Sequence, residues 1–176
     1  DGYHQSDGDI GCYVRPETGN LFLIGSEDQE CDPQEWVDPD EFYAGKGGHG
    51  RDNQLSEEQW KAQCYRLAKR VPTLPVPNQP RGVVDLYDVS DDWIPIYDKS
   101  DLKGFYLAIG TSGNQYKNAP VVGAMMAELI DACEKGLDHD KAPFQFKMRY
   151  TGRVLDTGFF SRKREINPDS SFSVTG

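Results

Sequence analysis

Long apolar runs and an excess of basic residues are both missing from this chain of 176 residues. No apolar stretch approaches the roughly 18–20 residues that a membrane-spanning helix requires, so we predict no membrane partner. The chain has 19 Lys and Arg against 29 Asp and Glu, which gives a net charge of −10 at pH 7. Proteins that bind nucleic acid present a basic surface, so this balance predicts no nucleic-acid partner.

Paired cysteines and clustered histidines are missing too. The four cysteines are Cys12, Cys31, Cys64 and Cys133. The three histidines are His4, His49 and His139. No two cysteines form a C-x-x-C pair, and metal sites or dithiol redox motifs need closer spacings than these. We therefore predict no metal site, reduced thiols and a cytoplasmic location.

The first part of the chain contains a predicted hairpin. Composition, with 18 Gly, 11 Pro and 37% hydrophobic residues, already favours a loop-rich α+β fold. Residues 12–15 and 21–25 alternate in polarity as strands do, and the turn-forming residues 16–20 lie between them. Residues 26–55 hold many acidic and turn-forming residues, which predicts an extended surface loop.

Two helices are predicted from the signals at their ends. Ser56 and Gln59 form a capping-box pattern at the start of one helix, and Pro72 stops it. The other helix has Pro120 in its first turn and Gly136 just past its end. Its residues are apolar almost all round, which predicts burial on several sides.

Three strands are predicted in the second half of the chain. Residues 83–89 alternate, with Asp85 and Tyr87 on one face, and residues 94–97 form a second, short strand. Residues 105–110 are nearly all apolar, as in a strand that is covered on both faces.

Several charged residues are predicted to face solvent. We expect Arg15 to make a surface ion pair and the Asp91–Asp92 pair to form a solvated acidic turn. The tail, residues 137–176, carries few apolar repeats, and we predict that its basic stretch forms a solvent-exposed face. That stretch consists of Arg162, Lys163 and Arg164.

The most informative segment is residues 104–117, GFYLAIGTSGNQYK, which read as a strand, a tight loop and the start of a helix. Such a unit directs backbone N–H groups and the positive end of a helix dipole at whatever lies above the loop. It therefore favours an electron-rich or anionic ligand group. An ordinary strand-to-helix connection is the alternative.

The surrounding motifs make this segment specific. Upstream lie CYVRPETGNLFLIGSE (residues 12–27) and GVVDLYDVSDDWIPI (residues 82–96), and downstream lies NAPVVGAMMAELI (residues 118–130). In this order the segments resemble the C-terminal part of the D-amino-acid oxidase-like superfamily of FAD-dependent oxidoreductases. That superfamily includes sarcosine oxidase, glycine oxidase and dimethylglycine dehydrogenase, and its pattern includes Y-x-R-P-x-x-G-x-L-x-x-G and G-L-Y-x-A-x-G-F-S-G-H-G-F-K. The resemblance covers roughly residues 10–136.

The resemblance implies a set of site residues. It places the loop beside the flavin ring, so the implied cofactor-binding residues are Gly110, Thr111, Ser112, Gly113, Asn114, Gln115 and Tyr116. Lys117 takes the position of a basic residue that holds the substrate carboxylate, and Tyr87 that of a residue facing the substrate. A solvated lysine and a packed tyrosine are the alternatives for these two residues. Asn114 stands where many members have His, which weakens any acid–base role there.

The resemblance also implies how the chain is organised. Residues 1–100 would be part of a β-rich substrate domain, residues 101–136 the last strand and helix of an FAD-binding domain, and residues 137–176 a tail. The family's N-terminal G-x-G-x-x-G fingerprint, which holds the FAD pyrophosphate, has no counterpart in the opening residues DGYHQSDGDIG.

We therefore expect the C-terminal portion of an amine or amino-acid oxidoreductase that does not retain FAD alone. Its partners would be the rest of the flavoprotein or a complementary subunit, a small amine or amino-acid substrate, and copies of itself. A non-catalytic subunit that keeps the fold without flavin, and a truncated product with no function of its own, are the alternatives.

Overall fold

The computed structural model describes residues 12–26, 36–46 and 53–170. The chain divides into two compact units, Asp1–Leu86 and Tyr87–Gly176. Within the described ranges the strands form three two-stranded antiparallel sheets, accompanied by a few helices. This mixture confirms the predicted α+β class. No helix in these ranges has the length and apolar character needed to cross a bilayer.

The first unit contains the predicted hairpin. Strands β1, Cys12–Glu17, and β2, Leu21–Ser26, pair antiparallel with Pro16 opposite Phe22. Gly19 and Asn20 have φ values of 76° and 59°, which suits a tight turn because these two residue types tolerate the left-handed region. The predicted surface ion pair of Arg15 is confirmed, because its Nη2 atom lies 3.1 Å from Glu17 Oε2.

Two helices complete the described part of this unit. Helix α2, Glu57–Arg70, begins as predicted at Ser56, whose hydroxyl accepts the Gln59 N–H at 3.3 Å. Helix α1, Pro39–Tyr43, lies inside the predicted loop, so that part of the loop prediction was wrong. The cause is local, because the Asp38 carboxylate caps the backbone N–H groups of Asp40 and Glu41. The rest of the predicted loop lies largely outside the described residues.

The second unit is built on a hairpin and a long helix. Strands β3, Ile96–Lys99, and β4, Tyr106–Ile109, pair antiparallel, and helix α3 is Ala119–Glu134. Gly136 lies just past the end of the helix, as predicted, and has a φ of 103°. The last carbonyls of the helix are satisfied by the N–H groups of Gly136 and Leu137, which bond to Cys133 and Ala132 at 3.0 Å each.

The strand predicted at residues 83–89 is wrong, because residues 81–90 form no regular element. The polar groups of Asp88 bond to a loop instead of to a neighbouring strand. Without a partner strand, an alternating sequence does not become a strand.

Helix α3 is covered on one side only, and strand β4 has two half-buried and two exposed residues. Met125, Met126 and Leu129 are buried, but Ala124 and Ala127 on the other side of the helix are exposed. The prediction that the helix is buried on several sides was therefore wrong for this chain, as was that of a strand covered on both faces.

The tail also contributes to the core. Strands β5, Gln145–Lys147, and β6, Val154–Asp156, form a hairpin that was not predicted, and a 3₁₀ turn follows at Thr157–Phe160. Phe146 of β5 packs in one cluster with four residues of the preceding elements. These are Tyr97, Met125, Met126 and Leu129.

The basic stretch of the tail is not solvated as predicted. The Arg162 and Arg164 side chains are only 13% and 9% exposed, and only Lys163 keeps a largely open position. Asp92 is buried as well, so the prediction of a solvated acidic turn was also wrong for this residue. The reason is that the arginines and the buried carboxylates form ion pairs, which offset the free-energy cost of burying their charges.

Candidate functional site

The candidate site is the loop of residues 110–117, called the site loop from here on. It connects strand β4 to helix α3 and includes the start of a 3₁₀ turn, Tyr116–Asn118. The backbone reverses through left-handed conformations at Gly110, Ser112 and Gly113, with φ values of 66°, 51° and 77°. Ser112 is a non-glycine residue in this region, so its surroundings must hold it there.

Asp88 holds the site loop in this conformation. Its carboxylate accepts the Thr111 N–H at 3.1 Å and the Thr111 hydroxyl, and its backbone carbonyl accepts the Ser112 N–H at 3.1 Å. Burial raises the pKa of Asp88, but the hydrogen bonds from Thr111 and Gly110 outweigh burial and leave that pKa below its ordinary value. The carboxylate is therefore held in the ionised form that accepts these bonds.

Tyr87 lies directly against the site loop. A Cβ atom added at Gly113 would come within 2.6 Å of Tyr87 Cε1 and 2.8 Å of Cδ1. Glycine is therefore favoured at position 113 for two reasons. The backbone has a positive φ there, and the Tyr87 ring occupies the space that a side chain would need. The structure thus brings together two of the predicted site residues.

Side-chain amides link the end of the loop to the sheet and the helix. The Gln115 Oε1 atom accepts the Tyr97 hydroxyl at 3.1 Å and the Asn118 Nδ2–H at 2.9 Å. Gln115 Nε2 also donates to Asn114 Oδ1. Asn114 is buried, and its side chain is part of this amide network.

The outer surface of the site loop is open. Gly113, Tyr116 and Lys117 are exposed, whereas Gly110, Ser112 and Asn114 are buried beneath them. The start of helix α3 has neither a side-chain cap nor an acidic residue in its first turn. The positive end of its dipole is therefore not neutralised by a side chain of its own first turn.

Sequence reasoning missed two residues that build this site. One is Asp88, which bonds to Thr111 and Ser112 from 23 and 24 residues upstream. The other is Asp92, whose carboxylate accepts the Ile94 N–H at 3.1 Å and receives the guanidinium of Arg164. These hydrogen bonds from Arg164 lower the pKa of Asp92 to about 2. No short-range signal reveals either partner, since both contacts join distant parts of the chain.

A second cluster of charged residues is centred on Asp98 of strand β3. Asp98 is fully buried and accepts the Arg162 guanidinium at 3.0 Å, and the same guanidinium bonds to Asp140 at 2.9 Å. Arg162 holds the pKa of Asp140 well below its usual range, and Asp140 in turn raises the pKa of Arg162. His139 Nδ1 accepts the Phe144 N–H at 3.0 Å, which places the proton of the neutral ring on Nε2, 3.4 Å from Asp98 Oδ1.

A comparison with protein families agrees with the motifs read from the sequence. The family model described as FAD dependent oxidoreductase, abbreviated DAO, matches residues 1–129, which include the whole site loop. Comparisons with curated proteins and with solved structures find no significant match. The match confirms the superfamily that the sequence predicts. The chain belongs to the family of FAD-dependent oxidoreductases.

Proposed function

We propose that the complete protein oxidises a small amine or amino acid, with the site loop lying beside the flavin ring. The observation that carries the proposal is the open start of helix α3, where a helix terminus without a side-chain cap directly follows a loop that Asp88 holds in place. An electron-rich ring edge fits such a place, because N–H groups and the helix dipole stabilise negative charge there.

The residues present fit a flat ring better than a compact anion. Gly113 has no side chain, and the flat Tyr87 ring occupies the space into which one would project. The N–H groups of Thr111 and Ser112 are already bonded to Asp88, so the loop does not present a complete ring of donors of the kind that encloses a phosphate. This geometry supports contact along one edge of a planar group.

Each predicted residue then has a distinct role. FAD, when bound, supplies the hydride acceptor for oxidation of the substrate C–H bond. Lys117 is the only Lys or Arg between Gly104 and Lys135, and its ammonium group would bind the substrate carboxylate. Tyr87 would form one wall of the substrate site beside Gly113. Asp88 would fix the loop without touching the substrate.

A lysine substitution in the complete flavoprotein tests this proposal. Lys117→Met should weaken substrate binding or slow flavin reduction by roughly ten- to a hundredfold, because a charge-assisted contact is lost. The FAD content should not change, since the backbone of the loop remains. Stopped-flow reduction at varied substrate concentration measures both quantities.

Lys103→Met is the matched control, because Lys103 is an exposed lysine of the same unit outside the site loop. The control should behave as the unmodified protein does. An unchanged reduction rate and an unchanged substrate affinity in Lys117→Met would show that Lys117 is a solvated lysine without a role in binding.

A further inference from the structure

We propose that Arg164 is a positioning residue for the site loop, acting from the tail through the turn of residues 88–94. That turn is called the aspartate turn from here on. The inference rests on the proposed function, because it assigns a role in flavin reduction to a residue that touches neither substrate nor flavin. Arg164 lies beyond the residues that the family model matches.

Arg164 fixes the aspartate turn by a fork of hydrogen bonds. Its Nε and Nη2 atoms donate to the two carboxylate oxygens of Asp92 at 3.0 and 2.5 Å. Nη2 also donates to the carbonyl of Ile94 at 2.7 Å, and Nη1 donates to the carbonyl of Ser161 at 3.1 Å. One guanidinium therefore joins the tail to the side chain and the backbone of the turn. This geometry requires a planar fork, which a lysine does not possess.

The aspartate turn passes this constraint to the site loop. The Ser90 hydroxyl donates to the Ile94 carbonyl at 2.7 Å and lies 3.3 Å from Asp92 Oδ1. The Ser90 Cβ atom would be 3.4 Å from a Cβ placed on Gly110, the first residue of the loop. Two residues before Ser90, the Asp88 side chain and carbonyl bind Thr111 and Ser112. The turn is thus bonded to Arg164 at one end and to the loop at the other.

The turn is also conformationally demanding, so it needs such support. Trp93 has a φ of 60°, a left-handed conformation that is costly for a bulky residue. Its N–H bonds to the Ser90 carbonyl at 3.1 Å. Because the strain is local and the restraint by Arg164 comes from the tail, removing the arginine should relax the turn. Asp88 would then shift with it.

Arg162 offers a matched comparison. Like Arg164, it is an arginine of the tail whose side chain is largely buried and paired with carboxylates, but its partners are Asp98, which is buried, and Asp140, which is partly exposed. Neither partner belongs to the aspartate turn. Loss of either arginine should destabilise the unit, whereas only loss of Arg164 should change the site loop.

The experiment compares Arg164→Gln and Arg162→Gln in the complete flavoprotein, at a temperature at which both remain folded. We expect both variants to lower the melting temperature. Arg164→Gln alone should also slow flavin reduction about ten- to a hundredfold and shift the flavin absorption spectrum, since a small displacement of a reacting group has effects of that size. Arg164→Lys should recover only part of the rate. If Arg164→Gln does not fold, Arg164→Lys supplies the test, because it keeps the charge but not the planar fork, and a reduction rate equal to that of the unmodified protein would refute the inference.

Asp88→Asn separates failure of this inference from failure of the proposed function. If Asp88→Asn slows reduction and Arg164→Gln does not, the site loop is functional and the role of Arg164 is refuted. If Arg162→Gln and Arg164→Gln slow reduction equally, the effect is general destabilisation and the inference fails too. If Asp88→Asn leaves the rate of flavin reduction and the flavin spectrum unchanged, the site loop does not border the flavin, and both proposals are refuted.

Discussion

At the scale of single residues, the site depends on a position that only glycine fills without strain. This position is Gly113, since it combines a φ of 77° with the Tyr87 ring 2.6 Å from a potential Cβ. Gly152 has a similar φ of 67° but open space around it. The pair therefore separates the cost of backbone strain from the cost of a steric collision.

We predict that Gly113→Ala is clearly more destabilising than Gly152→Ala. Gly152→Ala should lower the free energy of unfolding by about 1–2 kcal/mol, because a Cβ is disfavoured at positive φ. Gly113→Ala should cost about 1–3 kcal/mol more through overpacking against Tyr87. Urea unfolding of the two variants measures the difference. Equal losses would mean that the Tyr87 ring moves aside freely.

Asp92 provides a prediction about pH. Hydrogen bonds from Arg164 lower the pKa of Asp92 from 3.8 to about 2, so the folded state favours the ionised form. The resulting stability is present above pH 3.8 and is lost as the pH falls through about 2. Its size is on the order of 2 kcal/mol, because one pKa unit corresponds to about 1.4 kcal/mol.

Asp92→Asn should therefore be destabilised at pH 6, and its deficit relative to the unmodified chain should narrow between about pH 4 and pH 2. Urea midpoints measured across this range test the expectation. Asp91→Asn is the control, since Asp91 is an exposed neighbour. A deficit for Asp92→Asn that stays constant down to pH 2 would contradict the assigned ion pair.

At the scale of elements, the tail is part of the fold. Its hairpin of β5 and β6 contributes Phe146 to the cluster that contains Met125 and Leu129 of helix α3. The ion pairs of Arg162 and Arg164 fasten the following residues to strand β3 and to the aspartate turn. A segment with few apolar residues is thus held in place by one buried aromatic ring together with these ion pairs.

Phe146→Ala should accordingly lower the free energy of unfolding by about 3–5 kcal/mol, as expected for removing a buried aromatic ring. Phe159→Ala is the matched control, because Phe159 belongs to the same tail and is 49% exposed. Phe159→Ala should lower the free energy of unfolding distinctly less than Phe146→Ala does. Denaturant unfolding followed by a probe in the second unit measures both, and equal costs would show that the β5–β6 hairpin does not contribute to the core.

At the scale of the whole molecule, the chain carries apolar surface that its own described residues leave uncovered. Phe105 and Ile109, whose side chains project from the same side of the β4 segment, are 55% and 47% exposed. Val121 near the start of helix α3 is exposed too. Apolar patches of this kind usually become interfaces, so we propose that the isolated chain self-associates.

Phe105→Glu should weaken this association, because it places a charge on the patch at little cost to the fold. Light scattering over a range of concentrations, together with binding of a hydrophobic dye, provides the measurement. Tyr150→Glu is the control, since Tyr150 is exposed on a turn between β5 and β6. A monomeric unmodified chain at high concentration that binds no dye would refute the proposal.

The sequence by itself determined the features whose physical cause is local. Ser56 and Gln59 mark the start of helix α2, Pro120 and Gly136 mark the ends of helix α3, and a turn-rich segment joins β1 to β2. In each case the residues that decide the structure are neighbours in the chain. The ordered motifs likewise sufficed to predict the family, because they lie at fixed spacings along the chain.

Only the tertiary structure decided which distant groups meet. The alternation at residues 83–89 predicts a strand, but a strand needs a partner, and Asp88 binds the site loop instead. Arg164 and Asp92 lie 72 residues apart, and each was predicted to face solvent. The sequence alone does not show which distant charges form a pair. The fold brings them together, and their mutual neutralisation makes burial possible and gives the aspartate turn its anchor.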